Sequence, residues 1–364
     1  MRMSEPKIIA FHLPQFHEIE ENNRWWGAGF TDWTNVRRAR PLYRGHRQPR
    51  TPAGDRYYDL TTREARAWQA ELARSKGVHG FCYYHYWFNG RQLLERPVQA
   101  LIEDGEPDFP FCLAWANEPW TRAWDGGERD VLMPQEYGEK DDWDRHFAYL
   151  LKAFQDRRYI RVDGKPMLLI YRTQSIPPLA AMLARWRTLA ADAGLPGLHI
   201  VSMLTVFRAD ERSGLADAQV EFEPMYTLTH HQPGWYRRKE KLLRHVARLR
   251  RWLQSDARPH RLGSHDYASL WQLITRRSLP PRTYPGGFAD WDNSPRRGAR
   301  GLVMRNFNPA AFRRGMAAQL AKARAAGAPF LFFNAWNEWA EGTYLEPDTE
   351  KGTQLLDTIA ELTR

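Results

Sequence analysis

The sequence predicts an α/β fold, a single (β/α)8 barrel of TIM type, and three observations carry that expectation. Short apolar runs rich in β-branched and aromatic residues alternate with helix-period segments along the chain. Eight such runs can be read, and eight parallel strands are the number that closes a barrel. The main competitor, an open doubly wound sheet, normally carries a glycine-rich phosphate turn after an early strand. Neither G-x-G-x-x-G nor G-x-x-x-x-G-K occurs in this sequence.

In chain order the strand expectations are Ile8–Leu13, Gly80–Trp87, Phe109–Trp115, Met167–Tyr171, His199–Leu204, Val220–Met225, Gly287–Trp291 and Phe330–Trp336. Helices are expected at 61–76, 141–155, 177–193, 237–253, 265–277, 309–326 and 352–363. The first opens at a Thr-Thr pair and stops at Gly77. The second carries Trp143, Phe147, Leu150 and Leu151 on one face. Segment 309–326 has Pro309 at its start and Gly327 just past its end, the asymmetry of a complete helix. Asp163-Gly164 predicts a hairpin turn into the fourth strand. With no solenoid-period repeat and no low-complexity linker, residues 1–364 read as one domain, containing a basic helical segment at about 235–284.

Composition narrows the function classes. With 43% hydrophobic residues the 364-residue chain can bury a sizeable core, which excludes a disordered protein. The N-terminal stretch enters a strand-like run almost at once, without an apolar segment of signal-peptide length, and no apolar stretch approaches 18 residues. Cys82 and Cys112 each lie inside an apolar run and read as packing, not as a disulfide. A reducing, cytoplasmic location is therefore expected. The net charge of +10 is unevenly spread. Residues 235–254 hold eight Lys/Arg against one Glu, with Leu242, Val246, Leu249 and Leu253 at helical spacing. This basic amphipathic helix, centred on 237–251, reads either as a solvated face or as a contact for an anionic substrate or the inner membrane surface. No recognised nucleic-acid module accompanies the charge, so nucleic acid is not expected as a partner.

In a (β/α) barrel the active site forms at the C-terminal ends of the strands, and polar and aromatic residues gather there in this sequence. The first strand runs into His12, Gln15 and His17, followed by Trp25, Trp26, Asp32 and Trp33. The second ends in Tyr83, Tyr84, His85, Tyr86, Trp87, Phe88 and Asn89; the third in Asn117, Glu118 and Trp120. Glu221 and Glu223 close the sixth, Asp292, Asn293 and Arg296 follow the seventh, and NEWAEG, residues 337–342, follows the eighth. The chain has 16 tryptophans, at least seven of them on these segments. Sugars lay their C–H faces on aromatic rings and satisfy their hydroxyls with Asp, Glu, Asn and Arg, so the clustering points to a carbohydrate cleft.

Glycosidic chemistry uses two carboxylates, one with a raised pKa that protonates the leaving oxygen and one that acts as base or nucleophile. Glu338 and Glu341 fit those roles, with Trp336 and Trp339 as apolar walls that would raise a carboxyl pKa. The competing assignment is that these acids cap the helix that follows. Glu118 is a third candidate. Expected substrate contacts are Trp26, Asp32, Trp33, Tyr84, His85, Trp87, Asn117, Glu118, Trp120, Asp292, Asn293, Arg296, Asn337, Trp339 and Glu346. The histidines lack zinc-pair spacing, the cysteines lack an activated setting, and no G-x-S-x-G elbow is present, so neither metal nor cofactor is expected.

HLPQFH, NNRWWGAGFTDWTNV, GFCYYHYWF, WANEPW, the DNSPR segment and NEWAEGTYLEPD together resemble the WbsX-type proteins of bacterial polysaccharide loci. Those carry a domain similar to glycoside hydrolase family 99, the endo-α-mannosidase group. The resemblance spans about residues 7 to 360. It implies a (β/α)8 barrel and retaining cleavage of α-mannosidic linkages. Glu338 would assist the substrate 2-hydroxyl as a neighbouring-group nucleophile, and Glu341 would be the general acid/base. Hydrolase members carry NEWHEG, so Ala340 stands where they have His, a departure that bears on α-mannan specificity. WbsX-type proteins are commonly called glycosyltransferases, yet no nucleotide-sugar motif is apparent here. The expected function is cleavage or transfer of glycosidic bonds in O-antigen or capsule metabolism, on an oligosaccharide or polysaccharide that is lipid-linked or anionic. The alternatives are a glycosyltransferase using an activated donor and a non-catalytic glycan-binding barrel.

Overall fold

The computed structural model describes residues 5–122, 127–207, 214–234 and 262–364, with backbone only at 127–129. The predicted basic helix at 237–253 lies outside the described residues.

Eight parallel strands form a ring. They are β1 (Lys7–His12), β2 (Val78–Phe88), β3 (Phe111–Trp115), β4 (Lys165–Ile170), β5 (His199–Leu204), β6 (Ala218–Glu221), β7 and β8 (Phe330–Asn334). β7 consists of two short runs, Thr283–Tyr284 and Gly286–Phe288, separated by Pro285. The first run pairs with β6 and the second with β8, while the Pro285 carbonyl accepts from Phe332 N at 3.0 Å. β8 pairs in turn with β1, and neighbours from β1 through β6 pair in sequence order. Pro285 has no N–H to give, so the seam uses its carbonyl on one side and leaves pairing with β6 to the preceding residues.

Helices α1 (Arg63–Ser75), α2 (Arg96–Asp104), α3 (Lys140–Phe154), α4 (Leu179–Asp192), α5 (Tyr267–Arg276), α6 (Pro309–Ala326) and α7 (Gln354–Leu362) cover the outside. α6 has the bounds its sequence predicts. Asn308 accepts from Ala311 N as N-cap, Pro309 takes the first turn, and Gly327 closes in the left-handed region. Arg161–Val162 and Lys165 pair around Asp163 (φ 50°) and Gly164 (φ 78°), the predicted hairpin with both turn residues at positive φ. α2 was not foreseen: it is only nine residues long with a proline in its first turn, although Val98 and Leu101 share its buried face. The third strand starts at Phe111 and not Phe109, since Pro110 precedes it, and the sixth ends at Glu221, ahead of Pro224. The seventh lies upstream of its predicted position. Among the described residues no helix is long and apolar enough to cross a membrane.

The barrel interior is aromatic. Phe11 meets Tyr84 at 5.8 Å, Phe222 at 5.2 Å and Phe332 at 5.6 Å between ring centroids, which joins four strands in one layer. Cys82 and Cys112 face each other in register on β2 and β3, both buried and free, as their apolar runs predict. Gly286 has a specific task at the seam. A Cβ there would lie 2.0 Å from the Glu221 carbonyl oxygen of β6. Gly286→Ala should therefore cost at least about 1–3 kcal/mol, the range for overpacking a close-packed interior, measured as a lowered urea midpoint at unchanged slope.

Candidate active site

Strand alternation decides which residues of each strand end reach the interior. On β2, Tyr84 and Tyr86 turn inward, while His85 and Trp87 turn outward to α3. His85 Nε2 lies 2.8 Å from His146 Nε2, and Trp87 stacks on the His146 ring at 4.6 Å and donates to Asp142. His85 and Trp87 thus lie between wall and helix, away from the interior, and burial lowers the pKa of both histidines.

The backbone turns sharply after β8. Asn337–Glu338 pairs antiparallel with Thr343–Tyr344, and between them Trp339–Glu341 forms one 3-10 turn ending at Gly342, φ 66°. Glu338 makes no capping hydrogen bond to that turn, so its side chain is left for other contacts. Both glutamates reach Arg296, from the short helix Ser294–Arg297 after β7. Arg296 Nη1 donates to Glu341 Oε1 at 2.7 Å and Nη2 to Glu338 Oε2 at 3.1 Å. The same guanidinium donates to Asp32 Oδ1 through Nε at 3.3 Å and Nη2 at 3.0 Å, while Asp32 Oδ2 accepts from Ala340 N at 3.3 Å. Asp32 is fully buried in the helix Asp32–Arg38 after β1. It holds Arg296 and the Trp339–Glu341 turn together.

Burial raises the Glu338 carboxyl well above the ordinary carboxylate range, with Glu341 and Asp32 adding repulsion and Arg296 opposing. Tyr84 and Tyr86 lie within electrostatic reach of it. The Glu338 side chain is 8% exposed and that of Glu341 26%, so Glu341 has the readier exchange with solvent. Trp336 does not supply the wall expected of it, because it packs outside the barrel on Phe81 at 4.9 Å. Trp339 stacks on Tyr344 at 3.8 Å and donates to Glu346 Oε2 at 2.6 Å.

Across the opening, Glu118 after β3 pairs with Arg172 after β4 at 3.2 Å. Burial raises the Glu118 pKa against the pull of Arg172, and the charge of Glu341 adds to it. Trp120 joins Trp25 (5.8 Å), Tyr86 (5.3 Å) and Phe88 (6.1 Å), and Arg122 lies over the Trp26 ring. These rings form an aromatic rim linking the segments after β1, β2 and β3.

Other expected contacts are engaged inside the protein. Asn117 Oδ1 accepts from Arg172 N at 2.8 Å and its Nδ2 donates to Arg172 O at 3.0 Å. Asn337 does the same to Leu13, at 2.7 and 3.0 Å. Asn293 Oδ1 accepts from Leu302 N and closes its own loop. Trp33 donates to Tyr58 O and packs on Trp339. Glu346 accepts from Trp339, Gln69 and Tyr58, yet burial still lifts it to about 7. Asp292 faces a separate cavity, where hydrogen bonds from His46, Ser294 and Gln48, with the charge of Arg50, overcome burial and hold it at about 2. Glu221 and Glu223 both pair with Arg277 at 2.7 and 2.8 Å. Tyr86, read at the end of the second strand but not among the expected contacts, and Arg172 are the site residues that the expected contacts lack. Strict alternation from Tyr84 would have selected Tyr86, and Arg172 directly follows the predicted strand Met167–Tyr171.

A family model described as "Glycosyltransferase WbsX" matches residues 8–359. The chain belongs to the WbsX glycosyltransferase family. Two relatives from Xanthomonas campestris pv. campestris, both called uncharacterized protein WxcX, are 38% and 39% identical over 98% of this chain. The chain spans about half their length. Among solved structures it is similar to a glycoside hydrolase-like protein (TM-score 0.59, 14% identity, 100% of this chain and 96% of that one). It is also similar to the GH99 endo-alpha-mannosidase from Bacteroides thetaiotaomicron (TM-score 0.57, 13% identity, 98% and 96%). These likenesses show a shared barrel fold, and family and fold together are those of carbohydrate-active enzymes. Ala340, where the sequence resemblance gives hydrolases a His, is completely buried with its amide on Asp32, so a larger residue there would require its neighbours to move.

Arg296 supplies the test of this arrangement. Arg296→Gln leaves the buried Asp32 and Glu338 and the part-exposed Glu341 without their cation, and stability at pH 8 should fall by about 3–5 kcal/mol. Without the cation Glu338, whose pKa burial already raises, titrates higher in the fold than in the unfolded chain. The variant's stability should therefore be fullest below pH ~4.5 and decline as pH rises. Urea unfolding of both proteins at pH 5 and pH 8 should show a gap that is smaller at pH 5.

Proposed function

We propose that the protein cleaves or transfers glycosidic bonds, with Glu338 and Glu341 as the reacting pair. The observation that carries this reading is the bridging of both carboxylates by Arg296 at the C-terminal mouth of the barrel. A carboxyl with a raised pKa is a stronger base once ionised, which suits Glu338 to taking the proton of a sugar 2-hydroxyl. The freed oxygen would displace the leaving group at the anomeric carbon while Glu341 donates its proton to the departing glycosidic oxygen. In the second half the acceptor O–H, water or another sugar, returns its proton to Glu341 as it attacks the anomeric carbon, and the 2-hydroxyl recovers its proton from Glu338. Two displacements at one carbon retain configuration. Arg296 offsets the negative charge that stays on the pair throughout.

The aromatic rim of Trp25, Trp26, Trp120 and Tyr86 supports a saccharide as the occupant, with ring faces for sugar C–H groups. Glu118 and Arg172 would take hydroxyls on the opposite side. The family relationship supports a place in cell-surface polysaccharide metabolism, O-antigen or capsule, and the family's glycosyltransferase description favours a sugar over water as acceptor.

Glu338→Gln and Glu341→Gln should each lower turnover of glycan repeat units and aryl α-mannosides by about 10²–10⁴-fold, the usual contribution of a positioned acid or base. Far-UV circular dichroism and the thermal midpoint should stay close to those of the parent protein. The wild-type rate–pH profile should be bell-shaped, because the step needs Glu338 ionised and Glu341 protonated at once. Turnover retained in both variants, or glycan binding without turnover in the parent, would overturn this reading.

A further inference from the structure

On the far side of Asp292 from the glutamate pair lies a cavity of ≈ 580 Å³, within the size range of small-molecule sites. Its walls come from the segments after β1, β7 and β8. Its four acids are all engaged. Asp290 pairs with Arg50 at 3.1 Å and Lys351 at 3.0 Å, and Asp292 accepts from His46 and Gln48. Asp348 accepts from Tyr344 Oη at 2.7 Å and the Glu350 amide at 2.9 Å, and Glu350 pairs with Arg47 at 3.1 Å. Arg44 and Arg305 also line the cavity, and among the described residues neither has an acidic partner. Arg305 lies over the Tyr43 ring at 4.6 Å, which orients its guanidinium. The lining holds five Lys/Arg against four Asp/Glu, a net charge of +1, and its two guanidinium forks without an acidic partner among the described residues are those of Arg44 and Arg305.

We propose that this cavity holds the diphosphate of a diphosphate-linked sugar, next to the site where its glycosidic bond reacts. The inference rests on the sugar-processing reading above and names its substrate class. Guanidinium forks match phosphate oxygens two at a time, and two uncommitted forks suit two adjacent phosphates. The loops after the seventh and eighth strands are also where barrels commonly bind phosphate. The cavity floor is tied to the reacting turn: Arg50 Nη1 donates to Gly342 O at 2.9 Å, and Asp292 N donates to Glu341 O at 2.7 Å. The cavity therefore shares a wall with the turn that carries Glu341. Carrier identity, nucleoside or polyprenyl, is open to the same chemistry.

The test is calorimetric titration of the full chain with inorganic pyrophosphate, a nucleoside diphosphate glucose, a short prenyl diphosphate glucose and glucuronate. Pyrophosphate should bind the parent protein, and the combined Arg44→Gln, Arg305→Gln variant should weaken it by about tenfold or more. Glu338→Gln should leave pyrophosphate affinity within about twofold, which separates this proposal from the catalytic one. Tighter binding of either glycosylated probe, lost in the double variant, supports the proposal and identifies the carrier. It is overturned if pyrophosphate does not bind the parent, if the double variant binds it equally well, or if glucuronate binds as tightly.

Discussion

Everything at the mouth of this barrel depends on one guanidinium held among three carboxylates. Burying charged groups is unfavourable unless each is paired and its hydrogen-bonding capacity filled. Arg296 meets that condition by spreading its donors over Asp32, Glu338 and Glu341. Those acids come from the segments after β1 and β8, and the arginine from the segment after β7. The three strands are consecutive in the ring, so the closing seam through Pro285 and Gly286 brings the partners into range. Chain closure and site assembly are one physical event here.

The fold was legible because most of the strands are predominantly apolar runs, the pattern of strands buried on both faces. β6, Ala-Gln-Val-Glu, is half polar, and in β7 Pro285 and Gly286 break the pattern and moved the expected strand downstream. Within the site, residue type was more legible than residue direction. Glu338, Glu341, Arg296 and Asp32 were all identified from the sequence, and the structure brings them together. His85 and Trp87 were chosen for their chemistry, but a period of two sends them outward and leaves Tyr86 facing in. Asn117, Asn293 and Asn337 were chosen as polar partners for sugar. Their amides instead complete backbone hydrogen bonds, a need that appears only once the strands are in place.

The apolar and ionic parts of the site divide the work by location. Phe11, Tyr84, Phe222 and Phe332 fill the barrel below the carboxylates and exclude water beneath them. The wet, aromatic-rimmed side lies above, toward Trp120 and Glu118. A carboxyl between those two environments has a raised pKa and an open path on one side only, which is the setting a proton-transfer group requires.

The two Asn-Glu pairs, Asn117-Glu118 and Asn337-Glu338, share a construction. In each, the asparagine amide bonds both the N–H and the C=O of a residue just past the next strand, Arg172 in one case and Leu13 in the other. A side chain thereby imitates one more rung of the sheet, while its own backbone is free to leave the ladder. The following glutamate departs from a fixed platform. Since β1 and β2 stand between β8 and β3 in the ring, the two platforms sit at separate points of the rim, with Tyr84 and Tyr86 on the wall between them. A ring-shaped guest resting over those tyrosines would be met by a carboxylate from each flank, so its orientation is set before any bond is made or broken.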